Sequence, residues 1–199
     1  MIGSPPASSN AYFVLRHGES DANREGVIVS LPTDGASAYG LTLRGREQVA
    51  TSVERARRDG TLAAVDLVLS SPFLRTLQSA QIAASVFAAP VEVDDRLRER
   101  AFGELERTTD ANYAKVWARD RQDPLHTEWG VESAAAVLRR ASNLVEDLDA
   151  RAPGRTILLC THGDVISILS SGLLDQDLKL HREVAAIGVA ELRRLPPRA

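Results

Sequence analysis

Short apolar runs rich in aromatic and β-branched residues alternate along this chain with longer stretches patterned for helices, and that alternation leaves few folds open. AYFVL (11–15), VDLVLS (65–70), VEV (91–93), RTILLC (155–160) and GVAEL (188–192) each read as a buried strand. Between them, TLRGREQVATSVERARRDG has Thr42 as an N-cap and Gly60 as a stop. SPFLRTLQSAQIAASVF predicts a helix opened by Ser71, with Pro72 at its first position, where a missing N–H costs nothing. ESAAAVLRRASNLVEDLDAR (132–151) aligns Ala136, Leu144 and Leu148 on one stripe, and HGDVISILSSGLL follows directly on the strand ending at Cys160. Strands separated by helices in this order predict an α/β fold of three layers, α/β/α, around a mostly parallel central sheet.

A chain of 199 residues suits one domain, and its 44% apolar content can supply a core. We expect a flexible tail over 1–10, a single domain over 11–193 and frayed residues in the terminal RLPPRA. Within the domain, 24–41 reads as a Gly- and Ser-rich surface loop. Segment 100–131, holding Tyr113, Trp117 and Trp129, reads as an insertion over the active-site end of the sheet. The 24 basic and 27 acidic residues leave a net charge of −3, which excludes a global attraction to nucleic acid. Any anion site must therefore be local. The single Cys160 excludes an internal disulfide and an all-cysteine zinc site, and fits a reducing compartment. MIGSPPASSN has neither the basic nor the apolar region of a signal peptide, and no apolar run approaches about 18 residues. Together these features predict a cytoplasmic protein with no membrane partner.

Ligands of open α/β sheets bind outside the carboxyl ends of the strands. Three predicted strands end in chemically capable residues: Arg16-His17-Gly18-Glu19, Ser70-Ser71-Pro72 with Arg75 three positions on, and Thr161-His162-Gly163. Two imidazoles and two guanidiniums gathered at helix N-termini make an anion pocket, because free helix N–H groups add to the arginine forks. Phosphate is the natural guest. A neutral histidine beside it can attack phosphorus, and the arginines can stabilise charge on the equatorial oxygens. A leaving alkoxide also needs a proton, and DDRLRERAFGELE offers Asp94, Asp95, Glu99, Glu104 and Glu106 as donors. Spacing does not choose among these five.

The motifs LRHGES with Asn23, SSPFLRTLQSA, LRERAFG and THGDV together resemble the histidine phosphatase superfamily, the phosphoglycerate mutase-like family, from about residue 11 to 192. That resemblance implies a phosphohistidine formed on His17, with Arg16, Arg75, His162 and Asn23 holding the phosphoryl group. It also implies that Glu99, in the pattern Leu-x-Glu-Arg-x-aromatic-Gly, is the proton donor. Three places depart from the family pattern: SAYG stands where Asp-x-Pro is usual, Arg107 replaces the usual Gly after FGELE, and RERAFG lacks the histidine of the mutases. The stretch 107–131 has no paired arginines to grip a second phosphate, which favours hydrolysis over phosphoryl transfer between positions of a substrate.

The expected activity is therefore that of a metal-independent, cofactor-free phosphatase of the family's phosphatase branch, acting on small phosphorylated molecules as a monomer or homodimer. A phosphoglycerate mutase-type phosphotransferase and a catalytically weak phospho-ligand binding or regulatory protein are the alternatives. The chain contains no HExxH, CxxC or GxxxxGK. Of the remaining candidates, Cys160 reads as a small buried hydrophobe, His126 as a surface-loop histidine and His181 as structural. Tyr113, Trp117, Trp129 and Phe102 read as a small core of the insertion, with recognition of an apolar or aromatic substrate moiety as the alternative.

Overall fold

The structure, a computed structural model, describes residues 10–197 except 152 and 185. Five strands form one mixed sheet: β1 (Ala11–Arg16), β2 (Leu67–Ser70), β3 (Val91–Val93), β4 (Thr156–Thr161) and β5 (Leu192–Arg194), in the order β3-β2-β4-β1-β5. All neighbours are parallel except β5, which runs antiparallel to β1. Helices are α1 (Asp21–Glu25), α2 (Pro32–Gly35), α3 (Leu43–Arg58), α4 (Leu74–Phe87), α5 (Tyr113–Asp120), α6 (Ala134–Arg151), α7 (Gly163–Leu173) and α8 (His181–Val184).

Alternation along the strands builds the three layers. Tyr12 and Val14 of β1, Leu67 and Leu69 of β2, and Ile157 and Leu159 of β4 face one side, where they pack with α6 and α7. Phe13, Leu15, Val68, Leu158 and Cys160 face the other, against α3 and α4. Successive side chains of a strand point to opposite faces, so a strand covered on both reads as a continuous apolar run, as TILLC does. Ile157, Leu158 and Leu159 are all fully buried, each worth roughly 1.5–3 kcal/mol of transfer free energy.

Several elements differ locally from the sequence expectation. The helix predicted from Ser71 begins at Leu74, because Ser71 N–H still pairs with the Cys160 carbonyl (3.0 Å) and Phe73 is extended. On α6 the buried stripe runs through Val137, Ala141, Leu144 and Leu148; Ala136 is only half-buried, one position out of phase. GVAEL supplies only Leu192 to a strand, since Gly188 and Glu191 close a turn and Ala190 sits at φ 56°. Residues 1–9 of the expected tail lie outside the described residues. Asn10 is anchored: its amide donates to Asp149 (2.9 Å) and its carbonyl oxygen accepts from Arg155 N–H (2.8 Å). Leu195 of RLPPRA is buried and its N–H donates to the Tyr12 carbonyl (2.9 Å), so this end is docked, while residues 198–199 lie outside the described residues.

The segment 24–41 is more than a surface loop. It contains α2, buries Ile28, Val29 and Ser30, and pairs with the insertion through Ile28 N–H to Thr108 O (2.9 Å) and Arg107 N–H to Ile28 O (2.8 Å). Ile28, Phe102, Leu105, Val116 and Val131 form a third, small core, joined by Tyr113 and Trp129.

The turn after β1 is fixed by contact between backbones. A Cβ at Gly45, in the first turn of α3, would sit 2.0 Å from the Glu19 carbonyl oxygen. Gly to Ala in a helix ordinarily gains up to about 1 kcal/mol, but here the clash reverses the sign. G45A is expected to lose roughly 1–3 kcal/mol, read as a lower urea midpoint at unchanged slope; a midpoint at or above the wild-type value contradicts this account.

Candidate active site

Parallel pairing sets Arg16 opposite Thr161 and Ser70 opposite Cys160, so β1, β2 and β4 end together at one edge of the sheet. The pairing continues one step further: His17 N–H donates to the Thr161 carbonyl (3.2 Å). His17 and His162 therefore emerge side by side, with ring centroids 5.4 Å apart. His162 is the N-cap of α7, and Gly163 opens that helix so close to Arg16 that a Cβ there would lie 3.4 Å from its guanidinium.

His17 is buried, and its Nδ1 donates to the Gly18 carbonyl (2.7 Å), which fixes the proton on Nδ1 and leaves Nε2 as the acceptor. Arg75 Nε donates to that Nε2 at 3.2 Å. Burial, then the Arg75 and Arg16 charges, hold the His17 pKa well below the ordinary histidine value, so the ring is neutral at pH 7. His162 is neutral for the same leading causes, burial and Arg75. Its Nε2 meets Ser71 Oγ at 2.8 Å, and Arg75 Nη2 donates to its Nδ1 at 3.1 Å.

Arg75 is anchored on a further side by the Val29 carbonyl, which accepts from Nη2 at 3.0 Å. Arg16 Nη1 donates to the Ile187 carbonyl at 2.7 Å. That leaves Arg75 Nη1 and Arg16 Nε, both buried, with no hydrogen-bond partner among the described residues. Leaving a buried donor unmatched costs about 1–3 kcal/mol, more for a charged group. Both arginines line a cavity of about 130 Å³ together with His17, Glu99 and Asn23. Desolvation disfavours both guanidinium charges, with Glu99 the largest opposing influence, so an anion placed among them would be stabilised.

Glu99 is the acid that this geometry selects from the five candidates. Its Oε2 lies 3.4 Å from His162 Nδ1 and 3.7 Å from Arg75 Nη2, while Oε1 accepts from Arg100 N–H at 3.0 Å. Burial pushes its pKa up to about 7; Arg75 pulls against this and the Asp164 charge adds to it. Asp94 and Asp95 instead pair with Arg96 and Arg98, Glu104 is exposed, and Glu106 binds backbone in the 24–41 segment. Asn23 is exposed at the cavity mouth; its Oδ1 accepts from Ser20 N–H (3.1 Å) in a capping box at α1, which leaves its amide N–H groups for the cavity.

Several residues at the site were not singled out from the sequence as site residues. Ser71, read as a helix cap, has its hydroxyl on His162. Asp164, directly after the THG motif, accepts from Trp117 Nε1 (3.1 Å) and Arg182 Nη1 (3.2 Å), and Arg182 lies 3.9 Å over the Trp117 ring. Trp117, stacked 5.5 Å from Tyr113, lines the cavity and Trp129 belongs to the insertion's core, while Phe102 and Tyr113 do both, so the two readings of the aromatic residues overlap. His126 is not a surface-loop histidine: it is buried, with Nε2 3.0 Å from Asp120 Oδ1, because Asp120 and Arg100 form a fully buried bidentate pair that draws it inward. His181 approaches the same carboxylate at 3.2 Å, a structural placement. Cys160 is a buried strand residue whose thiol pKa is pushed up by burial. Among the described residues no group of three or more His, Cys, Asp or Glu is placed to hold a metal ion.

Comparison with known proteins shows which family the chain belongs to. A bifunctional protein of Mycobacterium tuberculosis is 31% identical over 192 residues, which cover 90% of this chain and 49% of that protein. The chain thus spans about half the length of that relative. Glucosyl-3-phosphoglycerate phosphatase of Mycobacterium tuberculosis is 30% identical over 173 residues, covering 81% of this chain and 74% of the relative. The solved structure of mycobacterial glucosyl-3-phosphoglycerate phosphatase complexed with VO3 aligns at a TM-score of 0.77 with 28% identity, over 92% of this chain and 91% of that one. A family model described as histidine phosphatase superfamily (branch 1) matches residues 12–197. With that match over nearly the whole chain, and the RHG and THG turns adjacent at one sheet edge, the protein belongs to the histidine phosphatase superfamily.

Proposed function

We propose that this chain is a phosphatase that hydrolyses phosphate monoesters through a phosphohistidine on His17, without a metal or organic cofactor. The observation that carries the reading is the pair of unmatched buried donors, Arg75 Nη1 and Arg16 Nε, beside a neutral His17 whose Nε2 is held as an acceptor. In the first step Nε2 bonds to phosphorus as the P–O ester bond breaks, and the electron pair leaves with the ester oxygen. Glu99, protonated, donates its proton there. In the second step Glu99, now a carboxylate, takes a proton from water as that water bonds to phosphorus and the P–N bond breaks, releasing inorganic phosphate. Arg16, Arg75 and Asn23 hold the equatorial oxygens throughout, where fixed donors contribute most, and His162, bonded to Ser71 and Arg75, is proposed to join them only once Arg75 turns from its Nδ1 to the phosphoryl group.

The substrates proposed are small phosphorylated molecules, the class to which the glucosyl-3-phosphoglycerate in one relative's name belongs. The chain is proposed to act as one domain over 11–193, as a monomer or homodimer in the cytoplasm, with no nucleic-acid or membrane partner. Near-neutral net charge supports this placement, as does the fact that no helix among the described residues is long and apolar enough to cross a membrane.

H17A is expected to lower turnover of p-nitrophenyl phosphate by at least about a thousandfold and to abolish acid-quenched covalent labelling. Full turnover in that variant removes the proposed mechanism. In kcat/KM, which extends only to phosphorylation of His17, E99Q should separate substrates by leaving group: alkyl phosphates are expected to lose roughly 10²–10⁴-fold and p-nitrophenyl phosphate only a few-fold, because nitrophenolate leaves without a proton. Equal losses for the two count against Glu99 as donor.

The pH profile follows from the raised Glu99 pKa of about 7. The donor is protonated below that value and loses its proton above it. Corrected for the substrate's own titration, kcat/KM for an alkyl phosphate should be flat on the acid side and fall about tenfold per pH unit above about 7. A limb that survives in E99Q would belong to another group.

A further inference from the structure

Arg75 makes its catalytic contacts only if its guanidinium plane is fixed, and its outer nitrogen Nη2 is held from two sides, by His162 Nδ1 at 3.1 Å and by a backbone carbonyl. Val29 O accepts from Nη2 at 3.0 Å while Nε reaches His17 Nε2 at 3.2 Å, so the position of one loop carbonyl helps to set the angle at which Arg75 meets the nucleophile. The next residues are gripped by Glu106. Its two carboxylate oxygens accept from Ser30 N–H at 3.0 and 2.9 Å, one accepts from Leu31 N–H at 3.2 Å, and the other meets the Ser30 hydroxyl at 2.5 Å. Ser30 Oγ in turn accepts from Phe102 N–H at 2.9 Å, which closes the ring between the loop and the insertion.

Three features make this more than loop anchorage. First, Glu106 lines no part of the cavity, yet it sets its four contacts on the two residues immediately after Val29. Second, the following residue, Arg107, holds the left-handed region at φ 60°, a conformation that costs a non-glycine residue roughly 1–2 kcal/mol. Its N–H donates to the Ile28 carbonyl at 2.8 Å, so the strained turn clasps the residue before Val29 as Glu106 clasps those after it. Third, the Arg107 side chain reaches away from the site, to Asp34 at 2.8 Å, so the surface end of the loop has its own tie.

We infer that Glu106 is a positioning residue for phosphoryl transfer: by holding Ser30 and Leu31 it fixes the Val29 carbonyl, and through that carbonyl the orientation of Arg75 towards His17 and the phosphoryl group. The inference rests on the proposed phosphatase reading for its rate consequence, but not for its structural one, because oxyanion binding reports Arg75 placement without turnover.

The test is a double-mutant cycle between E106Q and R75A. Gln keeps the volume of Glu106 but turns one acceptor into a donor facing backbone N–H groups. In the wild-type background E106Q is expected to lower kcat/KM for p-nitrophenyl phosphate about 10- to 100-fold, mostly in kcat, and to weaken orthovanadate binding, measured by titration calorimetry, by a similar factor. With R75A already present, the same change should cost less than about twofold in either measurement, since groups that act through one another are not additive. R107G, which releases the Asp34 tie and relieves the positive φ, is expected to leave turnover within about twofold.

Equal losses from E106Q in both backgrounds overturn the inference, as does a fall in melting temperature with unchanged orthovanadate affinity. A loss in R107G as large as that in E106Q also overturns it, since loop anchorage in general would then suffice. If E106Q proves too unstable to purify, E106D, which keeps the charge but withdraws it by one methylene, carries the same cycle. Should H17A retain full turnover, the phosphohistidine reading fails while the orthovanadate arm still decides the placement of Arg75.

Discussion

Parallel pairing of β1 with β4 in a single register, Arg16 opposite Thr161, is the constraint from which the site follows. Both strands run buried through the centre of the sheet, and a slip of one residue would turn Phe13 and Leu15 towards the wrong core while separating the two histidines. The large apolar investment on either face therefore fixes the address of the chemistry. Because neither strand can slide without sending its side chains into the wrong core, the register sets the relation between His17 and His162, and Arg75 then bridges the two rings.

What the sheet edge receives is an unusual balance of charge for a buried place. Two arginines are held where desolvation opposes their charge, two histidines are kept neutral by the same burial and by those arginines, and one carboxyl has its pKa raised to about 7. Each perturbation is the cause of another: Arg75 helps to keep both rings neutral, and Glu99 in turn supports the Arg75 charge. A dianionic group entering this set would match the unspent donors, which is why the arrangement points to phosphate more strongly than any residue within it does alone.

Most of this frame was legible in the sequence because it depends on period and position. Continuous apolar runs placed β1, β2 and β4, and the residues following each run, Arg16-His17, Ser70-Ser71 and Thr161-His162, gave the sheet edge at once. Glu99 was not separable from its four acidic neighbours by spacing; only the family pattern singled it out, and burial beside His162 explains the choice physically. Ser71 misled because serine before proline is a good helix start, whereas its hydroxyl is committed to His162 and the helix begins three residues later. His126 misled because a polar stretch between prolines and charges resembles a surface loop; the buried Arg100–Asp120 pair that draws it in joins residues 20 apart and leaves no local trace. Arg182 and Asp164 met for the same reason, through tertiary contact and not through any pattern along the chain.

The cavity has a floor and a wall of different origin. His17 and both arginines extend from strands and a helix of the two large cores, while Phe102, with Tyr113 packed against it, and Ile28 of the 24–41 segment belong to a small separate cluster of five buried residues. Regions with few buried contacts open at lower free energy than a domain's main core. The wall can then open at lower free energy than the floor unfolds, but the Val29 carbonyl ties Arg75 to it, so ligand exchange and the setting of one guanidinium are mechanically linked. Sequence drift in the parts of the wall away from Val29 leaves that tie intact, and one reaction can be retained while the molecules admitted to it change.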